Sequence, residues 1–132
     1  MKALSGYAEW FWLMAMNWKD IENRNWSLYS KGIRPMDLPL RIYLHASKTK
    51  TPKDEMDFII SCLSPRQKAE FDNVIWEHYR GHIIGEVTLT GQVTASDSKW
   101  FFGKFGFLVF DGKLYNEPIP YRGQLGFFEV SL

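Results

Sequence analysis

The alternation of apolar and polar residues is clearest between Leu40 and Ser47. Apolar side chains fall on the even positions there, whereas the odd positions hold Arg41, Tyr43, His45 and Ser47. Because successive residues of a strand point to opposite faces, this pattern predicts a half-buried strand with one polar face. Further strands are predicted at residues 2–5, 21–26, 82–94, 105–111, 113–115 and 126–130, with Asp111-Gly112 as a hairpin turn.

Three other segments have helical patterns. Residues 7–17 contain few polar residues and no proline or glycine, which predicts a helix buried on nearly all sides. A second helix is predicted after Thr51, because apolar residues then recur at i, i+3, i+4 and i+7. Ser64 followed by Gln67 has the capping-box pattern and predicts a third helix that reaches residue 79 and ends at Gly81.

The order of these elements is strand, helix, strands, two helices and a final run of strands. This order is typical of a mixed α+β fold and not of alternating βαβ units. The 132 residues have the length of one domain, and 45% of them are apolar and 17% aromatic, which is enough for a hydrophobic core. We therefore predict a single α+β domain over residues 1–132, with residues 51–79 as a two-helix insertion.

Composition narrows the classes of function. The 16 Lys and Arg residues nearly balance the 15 Asp and Glu residues, so a broad surface that coats duplex nucleic acid is not predicted. Cys62 is the single cysteine, and no apolar run approaches the roughly 20 residues that span a bilayer. We therefore expect a cytoplasmic protein with no membrane segment. The histidines and Cys62 lack the spacing of metal ligands, and residues 103–106 lack that of a P-loop, so no metal or cofactor is predicted.

Lys19, Glu22 and Arg24 are the sharpest cluster of charged residues. If the chain is extended from residue 21, Glu22 and Arg24 share a face, and Lys19 lies just before them at a helix-to-strand turn. A lysine near a carboxylate and a guanidinium can have a shifted pKa, so Lys19 and Glu22 are candidates for catalytic acid/base or nucleophilic roles. The same charges are equally consistent with an ion network that pins the end of the helix.

The polar end of the clearest strand is a second candidate site. His45, Ser47 and Lys48 predict a rim that binds phosphate through a hydroxyl group and an ammonium group. His45 and Ser47 do not form a catalytic triad, because the sequence offers them no acidic partner nearby. The alternative is that these three side chains lie at a solvent-exposed strand end and bind no ligand.

Four segments of the chain carry a family resemblance. They are Ala3 to Trp26, with Trp10 and Lys19-Asp20-Ile21-Glu22; Ile42 to Lys48; Gly81 to Val87; and Ser98 to Phe128, with Pro118-Ile119-Pro120-Tyr121-Arg122-Gly123-Gln124. In this order they resemble the ASCH family, named for its homology to an activating signal cointegrator. The family's Arg-Gln-Pro run before the first tryptophan is Tyr7-Ala8-Glu9 here. The resemblance implies a small PUA-like β-barrel with an N-terminal helix and a cleft between barrel and helix.

The resemblance also implies that the cleft binds RNA or a nucleotide. Lys19, Arg24 and Lys48 would contact phosphate. Trp10, Trp26 and Trp100 lie in the matching segments and are candidates for stacking on a base, with core packing as the alternative for each.

A hydrolase and a protein-interaction domain remain as other hypotheses. Some small members of the family resemble hydrolases that act on acylated cytidine through a Lys-Thr-Glu set, or on RNA phosphodiesters. In this chain the position three residues after Lys19 is Glu22 and not threonine. Turnover of an acylated nucleoside or of RNA would distinguish a hydrolase from a binding domain.

Overall fold

The computed structural model describes residues 1–132 and has three α-helices and six β-strands, which confirms the predicted α+β class. The helices are α1 (Ala8–Ala15), α2 (Lys53–Cys62) and α3 (Pro65–Asp72). The strands are β1 (Lys2–Gly6), β2 (Ile21–Arg24), β3 (Leu40–Ala46), β4 (His82–Val93), β5 (Phe105–Pro120) and β6 (Phe127–Glu129). Short 3-10 turns occupy Leu28–Lys31, Pro35–Asp37 and Trp76–His78.

The six strands form one mixed sheet that curls into a half-barrel, in the order β2-β5-β4-β3-β1-β6. β1 runs parallel to β3, and every other neighbouring pair is antiparallel. The strand predicted at Leu40 to Ser47 is confirmed as β3, which pairs with β4, but His45 on its predicted polar face is buried beside a shift in register after Leu44. β2 and β6 are the two edge strands. Trp26, which follows β2, packs against Phe107 on β5 and Phe127 on β6, with ring centroids 5.3 and 5.8 Å apart, so its side chain lies between the two edges.

Helix α1 lies inside the curl, against β3, β4 and β5, and all eight of its residues are buried, as its sequence predicted. The one charged residue among them is Glu9, which is 2% exposed and forms an ion pair with Arg80 at 3.3 Å. None of the three helices has the length and hydropathy to cross a membrane.

The two helices of the insertion differ in how well their ends were predicted. Helix α2 begins at Lys53, close to the predicted start after Thr51, but its N-cap residue is Pro52 and the Thr51 hydroxyl makes no hydrogen bond. The Ser64–Gln67 capping box of α3 is confirmed: the Gln67 amide donates to Ser64 Oγ at 3.1 Å, and the Ser64 amide donates to Gln67 Oε1 at 3.0 Å. The prediction that this helix reaches residue 79 is wrong, because α3 ends at Asp72. Trp76 then packs against Phe71 and Trp12, at 4.9 and 5.6 Å between centroids, which a continuous helix would not provide.

The hairpin predicted at Asp111-Gly112 is wrong. Strand β5 continues through these residues, with Asp111 at a φ of +56°, and the register against β4 shifts nearby. Asn17 follows α1 and has a φ of +62°. Its Nδ2 donates to the Gly112 carbonyl oxygen at 2.9 Å, and its Oδ1 accepts from the Gly112 amide at 2.7 Å. A Cβ at position 112 would collide with the carbonyl oxygen of Met14. The glycine therefore permits close packing of β5 on the end of α1.

Candidate ligand-binding cleft

Two cavities adjoin where β1 and β3 end, and they share Ser5, Ser47 and Leu125 as lining residues. We call the first, of about 420 Å³, the aromatic cavity; its main side chains are Tyr7, Trp10, Lys19, Glu22, Arg24, Glu55 and Phe102. We call the second, of about 870 Å³, the basic cavity; its main side chains are His45, Lys48, Tyr121, Arg122 and Gln124. The two together are the cleft.

The end of helix α1 brings Lys19 beside Trp10. The backbone amides of Trp18 and Lys19 both donate to the carbonyl oxygen of Leu13, at 2.9 and 3.1 Å, after the left-handed turn at Asn17. This reversal places Lys19 Nζ 4.3 Å from the centroid of the Trp10 ring. An ammonium group at that distance from an indole face is attracted by the quadrupole of the ring.

Strand β2 then places Glu22 and Arg24 on the same face, as expected for residues two apart. Glu22 Oε1 accepts from Lys19 Nζ at 3.1 Å, and Glu22 Oε2 accepts from Arg24 Nε and Nη2 at 3.0 and 2.8 Å. Arg24 Nη2 also donates to the Ser5 carbonyl oxygen at 2.8 Å. The side chains of Lys19, Glu22 and Arg24 are 1%, 7% and 19% exposed, so solvent barely reaches Lys19 in the lining of the aromatic cavity and reaches Arg24 more readily.

Burial shifts the pKa values of this network. Burial lowers the pKa of Lys19, and the attraction of Glu22 only partly offsets it. Burial alone would raise the pKa of Glu22, but the charges and hydrogen bonds of Lys19 and Arg24 outweigh it and hold the pKa below its ordinary value. Glu22 is therefore ionised at neutral pH, and Lys19 gives up its proton more readily than a solvated lysine does.

Of the three candidate tryptophans, the structure brings only Trp10 into the cleft. Its indole Nε1 donates to Glu55 Oε1 at 2.9 Å, so helix α2 of the insertion supplies part of the cavity wall. Trp26 lines neither cavity, because it fills the gap between the edge strands. Trp100 is 3% exposed and donates Nε1 to the Trp18 carbonyl oxygen at 3.1 Å, which makes it a core residue.

His45, Ser47 and Lys48 all line the basic cavity, but at different depths. His45 is 2% exposed, so it lies on the floor of the cavity and not on a phosphate-binding rim. Its Nδ1 and Nε2 atoms lie 3.1 Å from Ser5 Oγ and 2.7 Å from the Tyr121 carbonyl oxygen. Burial lowers the pKa of His45. Lys48 is exposed, and its aliphatic chain passes over Gly81.

Several lining residues had no role in the sequence-based prediction. Ser5 and Tyr7, Glu55, and Phe102 come from three separate segments, and no local spacing connects these segments. Arg122 was not predicted either, but it has a local signal, because it lies in the segment Arg122-Gly123-Gln124-Leu125-Gly126, which contains two glycines. A cation in such a run is a recognisable signal for an exposed loop that can carry function.

No group of three or more His, Cys, Asp or Glu side chains is placed to hold a metal ion. No protein-family model and no curated protein matches this chain.

Proposed function

We propose that the protein is an ASCH-type, PUA-like domain that binds a nucleotide or single-stranded RNA in the cleft. The observation that carries the proposal is the contrast in charge between two adjoining cavities. Lys19 and Arg24 are balanced by Glu22 and Glu55 in the aromatic cavity, whereas the basic cavity has Lys48 and Arg122 and no carboxylate in its lining. A nucleotide likewise has an uncharged part, the base, and an anionic part, the phosphate.

The aromatic cavity suits a nucleobase. Tyr7, Trp10 and Phe102 line it, and Phe102 is 43% exposed, so its ring is available to a ligand. The Phe102 backbone amide donates to Asn23 Oδ1 at 3.1 Å, which ties the loop that carries this ring to β2. Stacking of a base on an aromatic side chain contributes about 1–3 kcal/mol.

The basic cavity suits a phosphate group. Lys48 and Arg122 supply two positive charges, and Ser47 and Gln124 supply uncharged hydrogen-bonding groups. Guanidinium and ammonium groups both bind phosphate through charge-assisted hydrogen bonds. Because Ser5, Ser47 and Leu125 line both cavities, one ligand can occupy the two at once.

The test compares nucleosides with their 5′-monophosphates by isothermal titration calorimetry. The double variant Lys48→Ala/Arg122→Ala should weaken binding of the monophosphates and leave nucleoside binding unchanged. The matched control is Arg66→Ala/Lys68→Ala, which removes the same charge from the exposed face of α3. For short single-stranded RNA, two cations predict a slope of log K against log salt of about −1.4. Equal loss of affinity in both double variants, or no binding of any nucleotide, would contradict the proposal.

A second candidate function is hydrolysis of a modified nucleoside, and one observation favours it. The lowered pKa of Lys19, together with Glu22 at 3.1 Å, gives the aromatic cavity a lysine suited to acid/base chemistry. Incubation with N-acylated cytidine, followed by chromatography of the products, tests this candidate directly. Turnover by the wild type that is lost in Lys19→Met would support it, and the absence of turnover would leave binding as the function.

A further inference from the structure

A serine and a histidine that are 40 residues apart in sequence meet where the two cavities join. Ser5 Oγ lies 3.1 Å from His45 Nδ1, and His45 Nε2 lies 2.7 Å from the Tyr121 carbonyl oxygen. A carbonyl oxygen can only accept a hydrogen bond, so Nε2 carries the proton and donates it. Nδ1 of the neutral ring is then an acceptor, and the Ser5 hydroxyl donates to it.

The surroundings hold this pair in place and leave Ser5 accessible. Ser5 is half-buried and lines both cavities, whereas His45 is buried. A Cβ at position 123 would collide with the His45 ring, so the Gly123 backbone packs directly on the imidazole. The ring of Phe128 flanks the imidazole edge-on, at 5.8 Å between centroids. Burial lowers the pKa of His45 and favours the neutral ring, which is the form that can accept a proton.

We propose that Ser5 is a nucleophile and His45 its general base, in an acyl-transfer site that takes a carboxylic ester with an anionic group. A nucleophile, a base within hydrogen-bonding distance and a third group that orients the base are the three parts of an activated serine. Here the Tyr121 carbonyl is the orienting group. The anionic group of the ester would lie near Lys48 and Arg122 in the basic cavity. This activity goes beyond the proposed binding function and does not require that the ligand be a nucleotide.

The reaction has two balanced stages. Ser5 Oγ bonds to the carbonyl carbon of the ester while its proton passes to His45 Nδ1; the bond to the alcohol oxygen then breaks, and Nδ1 returns the proton to that oxygen. Water next attacks the acyl-serine and gives a proton to Nδ1. The carboxylic acid leaves as Ser5 Oγ takes the proton back. Arg24 Nη2 donates to the backbone carbonyl oxygen of Ser5 at 2.8 Å, which helps to hold the backbone of the nucleophile in place.

The experiment uses a fluorophosphonate probe, which reacts with activated serines by displacement of fluoride. Intact-mass and peptide mass spectrometry of the folded protein should show one adduct, at Ser5. Ser5→Ala should abolish this adduct, and Ser61→Ala, which removes an exposed hydroxyl on α2, should leave it unchanged. His45→Asn should slow the reaction about 100-fold or more, because a general base contributes at least that factor.

A second variant keeps the proposal open to refutation if His45→Asn does not fold. In Ser5→Cys, the introduced thiol beside His45 should react with iodoacetamide faster than Cys62 of the same molecule, which lacks a histidine partner. Absence of a Ser5 adduct in the folded wild type, or equal alkylation of the introduced thiol and of Cys62, would overturn the proposal. Neither readout involves a nucleotide, so its failure is distinguishable from failure of the binding function.

Discussion

Removal of the Glu22 carboxylate should destabilise the protein more than removal of the Lys19 ammonium, although the two groups form one ion pair. Glu22 has two partners: Lys19 on Oε1 at 3.1 Å, and Arg24 on Oε2 through two hydrogen bonds. Lys19 has Glu22 as its one salt-bridge partner, and its side chain is 1% exposed. The loss of Glu22 therefore leaves a buried cation unpaired, whereas the loss of Lys19 leaves a carboxylate that Arg24 still holds.

The magnitudes follow from these contacts. Glu22→Gln should lower the free energy of unfolding by about 3–5 kcal/mol, the usual cost of breaking a buried ion pair from one side. Lys19→Met should lower it by about 1–3 kcal/mol, since one buried acceptor oxygen loses its donor. Glutamine and methionine are close in size to the residues they replace, so neither change opens a large cavity. The double variant should lose less than the sum of the two single changes, because the groups are in contact.

Urea denaturation at pH 7, followed by tryptophan fluorescence, measures all three variants. The control is Lys53→Met, which removes one member of an exposed ion pair with Asp57 and should leave the free energy of unfolding nearly unchanged, because solvent screens that pair. Raising the pH should reduce the stability deficit of Glu22→Gln. Because the pKa of Lys19 is lowered in the folded state, Lys19 loses its proton there at a lower pH than in the unfolded chain, and the free energy of unfolding rises with pH over that interval. A loss in Glu22→Gln equal to or smaller than that in Lys19→Met would refute the reasoning.

Three further predictions concern pH and the helix ends. Since the folded-state pKa of Glu22 lies below its ordinary value of 4.5, the stability that Glu22 contributes is present above that pH and is lost as the pH falls through the folded pKa. The difference in free energy of unfolding between wild type and Glu22→Gln should therefore narrow as the pH is lowered below 4.5 in urea denaturation. Ser64→Ala should lower the free energy of unfolding by about 1 kcal/mol in the same assay, because the backbone amide of Gln67 loses the Ser64 hydroxyl as its acceptor. An unchanged denaturation midpoint would mean that water replaces that hydroxyl. Asn17→Ala should cost about 1–3 kcal/mol, because both hydrogen bonds to Gly112 are lost, and a loss no greater than that of Ser64→Ala would contradict this account.

The sequence by itself determined the elements whose patterns are local. The alternation from Leu40 onward defined β3, because the period of a strand is visible in eight residues. The apolar run after Tyr7 predicted α1 and its burial, since few polar side chains were available to face solvent. The spacing of Glu22 and Arg24 predicted their common face on β2, and the capping box of Ser64 predicted the start of α3.

Only the tertiary structure decided the conformation of two segments in which long-range packing overrides the local sequence pattern. Asp111-Gly112 has the composition of a hairpin turn, but contacts with the end of α1 keep it inside β5. The apolar residues after Asp72 have a helical period, but the packing of Trp76 on Trp12 favours a different backbone. In both places a contact between residues far apart in sequence outweighs a local preference of about 1 kcal/mol or less per residue.

The cleft is likewise a product of tertiary structure. Ser5 and His45 meet because β1 lies parallel to β3 in the sheet, in register at these two residues. Glu55 reaches Trp10 because α2 packs over the N-terminal helix. A parallel pair of strands needs a long crossover between them, so its facing residues are widely separated in the chain. The sequence shows which residues can carry chemistry, and the sheet order decides which of them share a cavity.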